Sequence, residues 1–131
     1  MDILNVLAAA LGAFAFGAVW YMTMAKPWVA AAEIPVDAQG RPRGNGSVMP
    51  IVIGILAMIV PAGMMRHIFQ MAAIDTIGKG VVAGAGICAF FITPWMAMNH
   101  AFSMRKSALT VIDSVNVIVG STIMGLILTL F

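Results

Sequence analysis

Charged residues are scarce in this 131-residue chain, and cysteine is nearly absent. Lys, Arg, Asp and Glu make up 9% of the residues, whereas a soluble domain carries roughly 25%. Seven basic and five acidic residues give a net charge of only +2, which is too little for a nucleic-acid-binding surface. The single cysteine, Cys88, excludes an intrachain disulfide and is expected to be a small packing residue. So little charge excludes a soluble globular domain.

Apolar residues take the place of the missing charge. They make up 62% of the chain, against about 45–50% in an ordinary globular protein. Four segments approach the ~20 apolar residues that a helix needs to cross a bilayer, namely residues 3–24, 49–69, 77–98 and 108–131. None of them alternates apolar and polar residues as a membrane strand would. The sequence therefore predicts an all-α integral membrane protein, a single transmembrane domain over residues 1–131 that folds as a four-helix transmembrane bundle.

The distribution of Lys and Arg predicts the orientation in the membrane. The first and third loops, residues 25–48 and 99–107, hold five basic residues, and the opposite side holds two. The five are Lys26, Arg41, Arg43, Arg105 and Lys106, and the two are Arg66 and Lys79. Because positively charged loops stay in the cytoplasm, both termini are expected on the periplasmic side of a bacterial inner (plasma) membrane.

Aromatic and basic residues flank the ends of the spans. Trp and Tyr are enriched at the level of the lipid head groups, and Lys extends its amine outward from an apolar stem. The predicted interface anchors are Trp20, Tyr21, Lys26, Trp28 and Trp95. Arg41 and Arg43 are expected to contact anionic lipid head groups, and Arg66 is expected to extend outward from the second span.

Small residues recur at a spacing of four in three of the spans. The pairs are Ala13 with Gly17, Gly80 with Gly84, and Ser121 with Gly125. Such a spacing lets two helices approach closely, and it matters in a membrane because lipid provides no hydrophobic drive for helices to associate. These six residues are predicted to mediate helix packing, either within one chain or between chains.

The polar intramembrane candidates are Asp113 and Asn116 in the fourth span and His100 at the end of the third. Asp113 and Asn116 are three residues apart and share one face of the fourth helix, which Gly120 extends. An ionisable group inside a span is costly and is a functional candidate by default. The structural alternative is that Asp113 pairs with a basic residue on the same side of the membrane. The basic residues considered are Lys26, His100, Arg105 and Lys106.

No catalytic or metal-ligand pattern is present in the sequence. His67 and His100 follow different spans at opposite sides of the membrane, so they cannot ligate one haem or one metal together. On a helix, Met96 and His100 share a face but Met98 points elsewhere. The twelve methionines are better explained as flexible apolar filler. The sequence predicts no cofactor, no metal site and no enzymatic activity.

Two groups of short motifs resemble those of a known family. The first is Gly17-Ala18-Val19-Trp20-Tyr21 followed by Lys26-Pro27-Trp28, and the second is Arg105-Lys106 followed by Ile112-Asp113-Ser114-Val115-Asn116 and Met124-Gly125-Leu126-Ile127. Both are similar to motifs of the uncharacterised bacterial membrane family called domain of unknown function 1761. The resemblance covers nearly the whole chain and implies a small four-span membrane protein without an assigned activity. It carries over no catalytic residues.

Two functions agree with these features. The first is a non-catalytic accessory or structural subunit that packs against a larger membrane complex, of the photosynthetic or respiratory type by analogy, or against itself. The alternative is a small oligomeric channel or carrier in which Asp113 and Asn116 line a polar path. The expected partners are the lipid bilayer and other membrane subunits or a second copy of the chain, and no nucleic acid.

Overall fold

The computed structural model describes residues 3–43 and 46–131. Within them the chain is helical, and the extended structure is one isolated antiparallel bridge between Val36 and Pro42. The helices are α1 (Ile3–Thr23), α2 (Ala25–Ala32), α3 (Met49–Met71), α4 (Ile77–Ile87), α5 (Thr93–Phe102) and α6 (Ser107–Leu128). A π-helical turn, Cys88–Ile92, joins α4 to α5.

The predicted all-α membrane fold is confirmed. Four helical segments are long and apolar enough to span a membrane: α1, α3, the continuous segment Ile77–Phe102 that contains α4, the π turn and α5, and α6. This third span runs beyond residue 98 to Phe102, and α6 ends at Leu128 rather than at residue 131. Hydropathy marks where the apolar residues end, whereas a helix continues as long as its backbone hydrogen bonds are made.

α1 and α6 form the centre of the bundle and run antiparallel in close contact. Asn5 near the start of α1 bonds to Leu128 at the end of α6, and Tyr21 near the end of α1 bonds to Asp113 near the start of α6. We call these two ends of the bundle the Asn5 end and the α2 end, since α2 follows Tyr21 closely. α3 packs on α1, α4 packs on α6, and in the described residues α3 makes no comparable contact with the third span. The bundle is therefore open on the side between them.

Small side chains let α1 approach its neighbours closely. Ala9 and Ala62 are completely buried, as are Phe69 and Leu128. The buried cluster comprises Val6, Ala9, Ala10, Ala13, Ala62, Met65, Phe69, Met124 and Leu128. Because lipid is as apolar as this core, van der Waals packing rather than the hydrophobic effect favours the contact.

Proline disturbs the regular hydrogen bonding of two spans. Pro94 has no N–H, and the turn before it is widened, with the N–H of Thr93 donating to the carbonyl of Cys88, five residues earlier. This is the π pattern. Pro61 lies inside α3, which continues as one helix, and its missing N–H leaves the carbonyl one turn earlier without its helical donor.

Helix α2 is held to the start of α6 by two basic side chains. Nη2 of Arg105 lies 3.1 Å from the carbonyl oxygen of Ala32, and Nζ of Lys106 lies 3.2 Å from that of Ala30. Lys106 also lies 3.6 Å from the carboxylate of Glu33. Cations at a helix C-terminus satisfy its free carbonyls and complement its dipole. The first and third loops therefore lie together at the α2 end.

Candidate functional site

Two consecutive aromatic residues of α1 bond to two consecutive residues of α6. The hydroxyl of Tyr21 donates to Oδ1 of Asp113 at 2.7 Å, and Nε1–H of Trp20 donates to the carbonyl of Ile112 at 3.0 Å. Tyr and Trp suit this role because the ring packs while its polar tip reaches a partner. Asn116 lies beside the Tyr21 hydroxyl, and we call Tyr21, Asp113 and Asn116 the polar cluster.

The structure gives Asp113 a different partner from the basic residues expected. Its carboxylate accepts the hydrogen bond of Tyr21, a residue that the sequence pattern assigns to the lipid interface. The expectation of a basic partner missed this pairing because the tyrosine hydroxyl is uncharged. Asp113 therefore joins α6 to α1 rather than to a loop.

The four basic residues considered as partners take other positions. Nδ1 of His100 lies 2.9 Å from Oγ1 of Thr110, which joins α5 to α6. Arg105 and Lys106 bond to the end of α2. Lys26 is exposed on α2. His100, Arg105 and Lys106 are thus bonded to other groups, and Lys26 faces outward, so the hydrogen-bond partner of Asp113 is Tyr21 rather than one of these four.

The aromatic residues at the end of α1 pack together with α2 against the start of α6. The rings of Tyr21 and Trp28 meet edge to face, with 5.4 Å between their centroids, and Trp20 belongs to the same cluster. The buried residues of this cluster are Ala31, Leu109 and Ile112. The remaining residues predicted to lie at the interface or head groups, all exposed, are Lys26, Arg41, Arg43 and Trp95. Three of the five predicted anchors thus contribute to packing inside the chain.

Two glycines give the polar cluster its room. A Cβ at Gly17 would lie 3.1 Å from Oδ1 of Asn116, so a larger residue there would displace the amide. One turn deeper, Gly120 is buried and faces Ala13, with 3.7 Å between a Cβ built on the glycine and the Ala13 Cβ. The predicted packing residues Ala13 and Gly17 therefore lie at the interface of α1 with α6.

The other four predicted packing residues meet where α4 crosses α6. A Cβ at Gly84 would overlap the carbonyl oxygen of Ser121, and a Cβ at Gly125 would overlap that of Gly80. The Ser121 hydroxyl donates to the carbonyl of Gly84. Backbones this close exclude any side chain at the crossing. In this structure the four residues pack two helices of one chain.

A second polar group, which the sequence analysis missed, lies at the Asn5 end. Nδ2 of Asn5 and Nη1 of Arg66 both donate to the carbonyl of Leu128, at 3.3 and 3.1 Å. This carbonyl is among the last of α6, where no helical N–H remains to bond it and a nearby cation is favourable. Arg66 thus turns toward α6 instead of extending outward. The available sequence signal was a lone Asn in the apolar first turn of α1.

A cavity of about 300 Å³ lies in the middle of the bundle on its open side. It is lined from α3 by Met58, Pro61, Met64, Met65 and Ile68, from the third span by Ile87, Cys88 and Ile92, from α1 by Ala13, and from α6 by Asn116, Val117, Gly120, Ser121 and Met124. No charged side chain is among these lining residues.

The described residues do not assemble a metal centre. Within residues 3–43 and 46–131, no group of three His, Cys, Asp or Glu side chains is placed to hold a metal ion. Cys88 is buried beside the cavity, and His67 is exposed. Some polar side chains of the spans join one helix to the next, and others, such as Ser114 and Thr122, bond to a carbonyl of their own helix.

The chain matches, over residues 4–129, the model of a family described as a protein of unknown function, DUF1761. It belongs to this family. The match confirms the resemblance seen in the motifs around Trp20-Tyr21 and from Asp113 to Asn116, which are also the residues that connect α1 with α6. No curated protein and no solved structure matches the chain.

Proposed function

We propose that this chain is a non-catalytic membrane subunit that acts by associating with another membrane protein or with a second copy of itself. The observation that carries the proposal is the open side of the bundle. α3 packs on α1, the third span packs on α6, and among the described residues these outer spans leave a gap between them. A partner helix placed there would complete the packing by close van der Waals contact.

The first half of α3 supports this use of the open side. Ile51, Val52 and Ile53 are 54%, 46% and 58% exposed. Since consecutive residues point in different directions around a helix, this chain leaves most of that turn uncovered, and only the face of Gly54 meets α1, at Phe14. Across the gap, Phe90 and Phe91 are exposed, and α5 has no buried residue. Both outer spans therefore offer apolar surface to a partner.

The use of polar side chains within the spans supports a structural role. Trp20 and Tyr21 join α1 to α6, His100 joins α5 to α6, and Ser121 joins α6 to α4. Each bond connects two helices of the same chain. Among the described residues we find no nucleophile with a base and an orienting group beside it, the arrangement that covalent catalysis requires.

The alternative, an oligomeric channel or carrier that uses Asp113 and Asn116, has less support. Asp113 is bonded to Tyr21. Between the polar cluster and the Asn5 end, the interface of α1 with α6 consists of buried apolar residues such as Ala9 and Ala13. An apolar core of this kind disfavours a polar path through one chain, so a pore would have to form between copies.

The membrane assigned to the chain is a bacterial inner membrane, with both termini periplasmic. The support is the excess of Lys and Arg in the first and third loops, which lie together at the α2 end, where Arg105 and Lys106 bond to α2. A cysteine replacing the exposed Ala38 in a Cys88→Ser background should be protected from an impermeant thiol reagent in intact cells. Labelling without permeabilisation would reverse the orientation.

Photo-crosslinking tests the proposed association. A photoreactive amino acid replaces Met64 or Ile92, which are exposed and line the cavity on the open side, and Val111 is the control. Val111 is also exposed, but at 100° per residue it lies on the face of α6 opposite to the cavity. The proposal predicts crosslinks from both open-side positions to one polypeptide of constant mass, and none from Val111. Equal crosslinking from all three positions, or crosslinking to lipid alone, would contradict it.

A further inference from the structure

The two proline-associated irregularities of the spans border the same cavity. Pro61 lines one wall of the 300 Å³ cavity, and Cys88, the first residue of the π turn, lines another. π turns inside α-helices occur frequently at functional sites. A proline inside a span is tolerated where its surroundings satisfy the freed backbone group. Pro61 and the π turn belong to separate spans and yet border the same cavity. Helix packing alone does not require this arrangement, which therefore indicates a binding site.

The lining of the cavity favours an aromatic occupant. Four methionines, Met58, Met64, Met65 and Met124, contribute to it. A thioether sulfur makes favourable contacts with aromatic rings, and methionine adapts its shape to what it surrounds. None of the lining residues is aromatic and none is charged. The methionine sulfurs therefore have no aromatic partner from the chain in this space. The lack of charged lining residues excludes an ionic ligand, because its charge would have no partner.

Asn116 provides a hydrogen-bonding group at the cavity. The hydroxyl of Ser121, also in the lining, is occupied by the carbonyl of Gly84, and the neighbouring Tyr21 hydroxyl donates to Asp113. Asn116 lies within hydrogen-bonding reach of the same Tyr21 hydroxyl. A primary amide has two N–H donors, so one of them remains for another acceptor. An amide in apolar surroundings is costly unless it is paired, and lipid chains offer it no partner.

We propose that this cavity binds an uncharged, lipid-soluble aromatic molecule of about two fused rings, whose carbonyl group accepts a hydrogen bond from the amide of Asn116. The volume sets the size, because an apolar cavity of about 150 Å³ binds benzene and this one is about 300 Å³. In the free chain the open side between α3 and the third span provides entry from the bilayer, and a partner seated there would close it over the bound molecule. The inference does not rest on the proposed function, because the cavity is formed by one chain alone.

Two fluorescent probes that differ only in the carbonyl group test the assignment. They are 6-propionyl-2-(dimethylamino)naphthalene and 6-propyl-2-(dimethylamino)naphthalene, titrated against the purified full chain in detergent micelles and followed by their emission. We expect one saturable site per chain, with tighter binding of the ketone. Asn116→Leu should weaken the ketone about fivefold, as for the loss of one neutral hydrogen bond, and leave the second probe unchanged. If the ketone binds the wild-type chain and Asn116→Leu with equal affinity, the role assigned to Asn116 is wrong.

A pair of matched variants on α6 tests the location. Val117 lines the cavity, so Val117→Phe should fill it and weaken both probes by about tenfold or more. Val111→Phe adds the same volume on the opposite face of the helix and should change neither affinity. Circular dichroism checks that each variant is folded, and if Val117→Phe is not, the comparison of the two probes on Asn116→Leu decides. Binding that does not saturate would overturn the proposal, and so would saturable binding that a folded Val117→Phe leaves unchanged. No probe binding at all would also overturn it, and would mean that an acyl chain or a second copy already fills the cavity.

Discussion

Replacing Tyr21 by phenylalanine removes a single hydroxyl from the joint between α1 and α6. That hydroxyl donates to Asp113 at 2.7 Å, while the ring that remains still packs against Trp28. Hydrogen bonds to charged groups contribute about 1.5–3 kcal/mol in soluble proteins, whereas those between membrane helices average about 0.6 and reach about 1.7 kcal/mol. The bond is half-buried near one end of the bundle, so we expect Tyr21→Phe to lower the free energy of unfolding by about 1–1.5 kcal/mol.

Substitutions of Asp113 separate its charge from its geometry. Asp113→Asn keeps an acceptor for the Tyr21 hydroxyl and should cost less than about 1 kcal/mol. Asp113→Leu leaves that hydroxyl unpaired and should cost about 1–3 kcal/mol. In a double-mutant cycle, Tyr21→Phe and Asp113→Leu should show a coupling of about 1 kcal/mol.

The assay is a titration with sodium dodecyl sulfate in mixed micelles, followed by tryptophan emission. Thr23→Val is the matched control, because the Thr23 hydroxyl bonds only to the carbonyl of Val19 in its own helix, at 2.8 Å. A coupling within about 0.3 kcal/mol of zero would refute the assignment. So would a loss in Tyr21→Phe no larger than that of the control.

Three other substitutions probe separate contacts. Gly84→Ala should destabilise the chain by about 1–3 kcal/mol in the same titration, because its Cβ would overlap a carbonyl of α6. Gly86→Ala is the control and should be neutral, because its Cβ meets open space. Equal effects of the two variants would contradict the close crossing of α4 and α6. Lys79, 2.7 Å from Asp75, holds the pKa of that exposed carboxyl below its ordinary value. The contribution of the pair is present above the ordinary carboxyl pKa and is lost as pH falls through the lowered one, so Asp75→Asn should change stability at neutral pH but not in acid, and a change that persists in acid would count against it. Arg105→Gln should loosen α2, which Lys106 still holds, and the expected sign is faster proteolysis within residues 25–34 with unchanged unfolding of the spans. Unaltered cleavage would show that the bond from Arg105 to α2 contributes nothing.

The spans were predictable from the sequence because lipid leaves the backbone few choices. With no water to bond the peptide groups, a long apolar segment must be helical. The small-residue spacing also located the contact at Gly84 and Ser121, although it did not distinguish packing within a chain from packing between chains. The order of the helices around the bundle was not predictable. A span that is apolar on all sides carries no amphipathic stripe to indicate which face meets protein.

The candidate site was predictable only in part. Asp113 and Asn116 attract attention because polar groups inside a span are costly. The partner, Tyr21, is 92 residues away from Asp113, and the pairing exists only because α1 and α6 run antiparallel. Arg66 illustrates the same limit. A basic residue near the end of a span can reach either lipid head groups or the free carbonyls of a neighbouring helix, and one composition suits both.

The mass of the particle extracted from its native membrane tests the central claim, association through the open side, most directly. One chain has a mass of 13.8 kDa. After extraction with a styrene–maleic acid polymer, native mass spectrometry should find one defined assembly heavier than a single chain. Asp113→Asn, which preserves the joint between α1 and α6, should leave that assembly intact. Met64→Trp, at an exposed position that lines the cavity on the open side, should disperse it. A single chain of 13.8 kDa as the sole species would contradict the account.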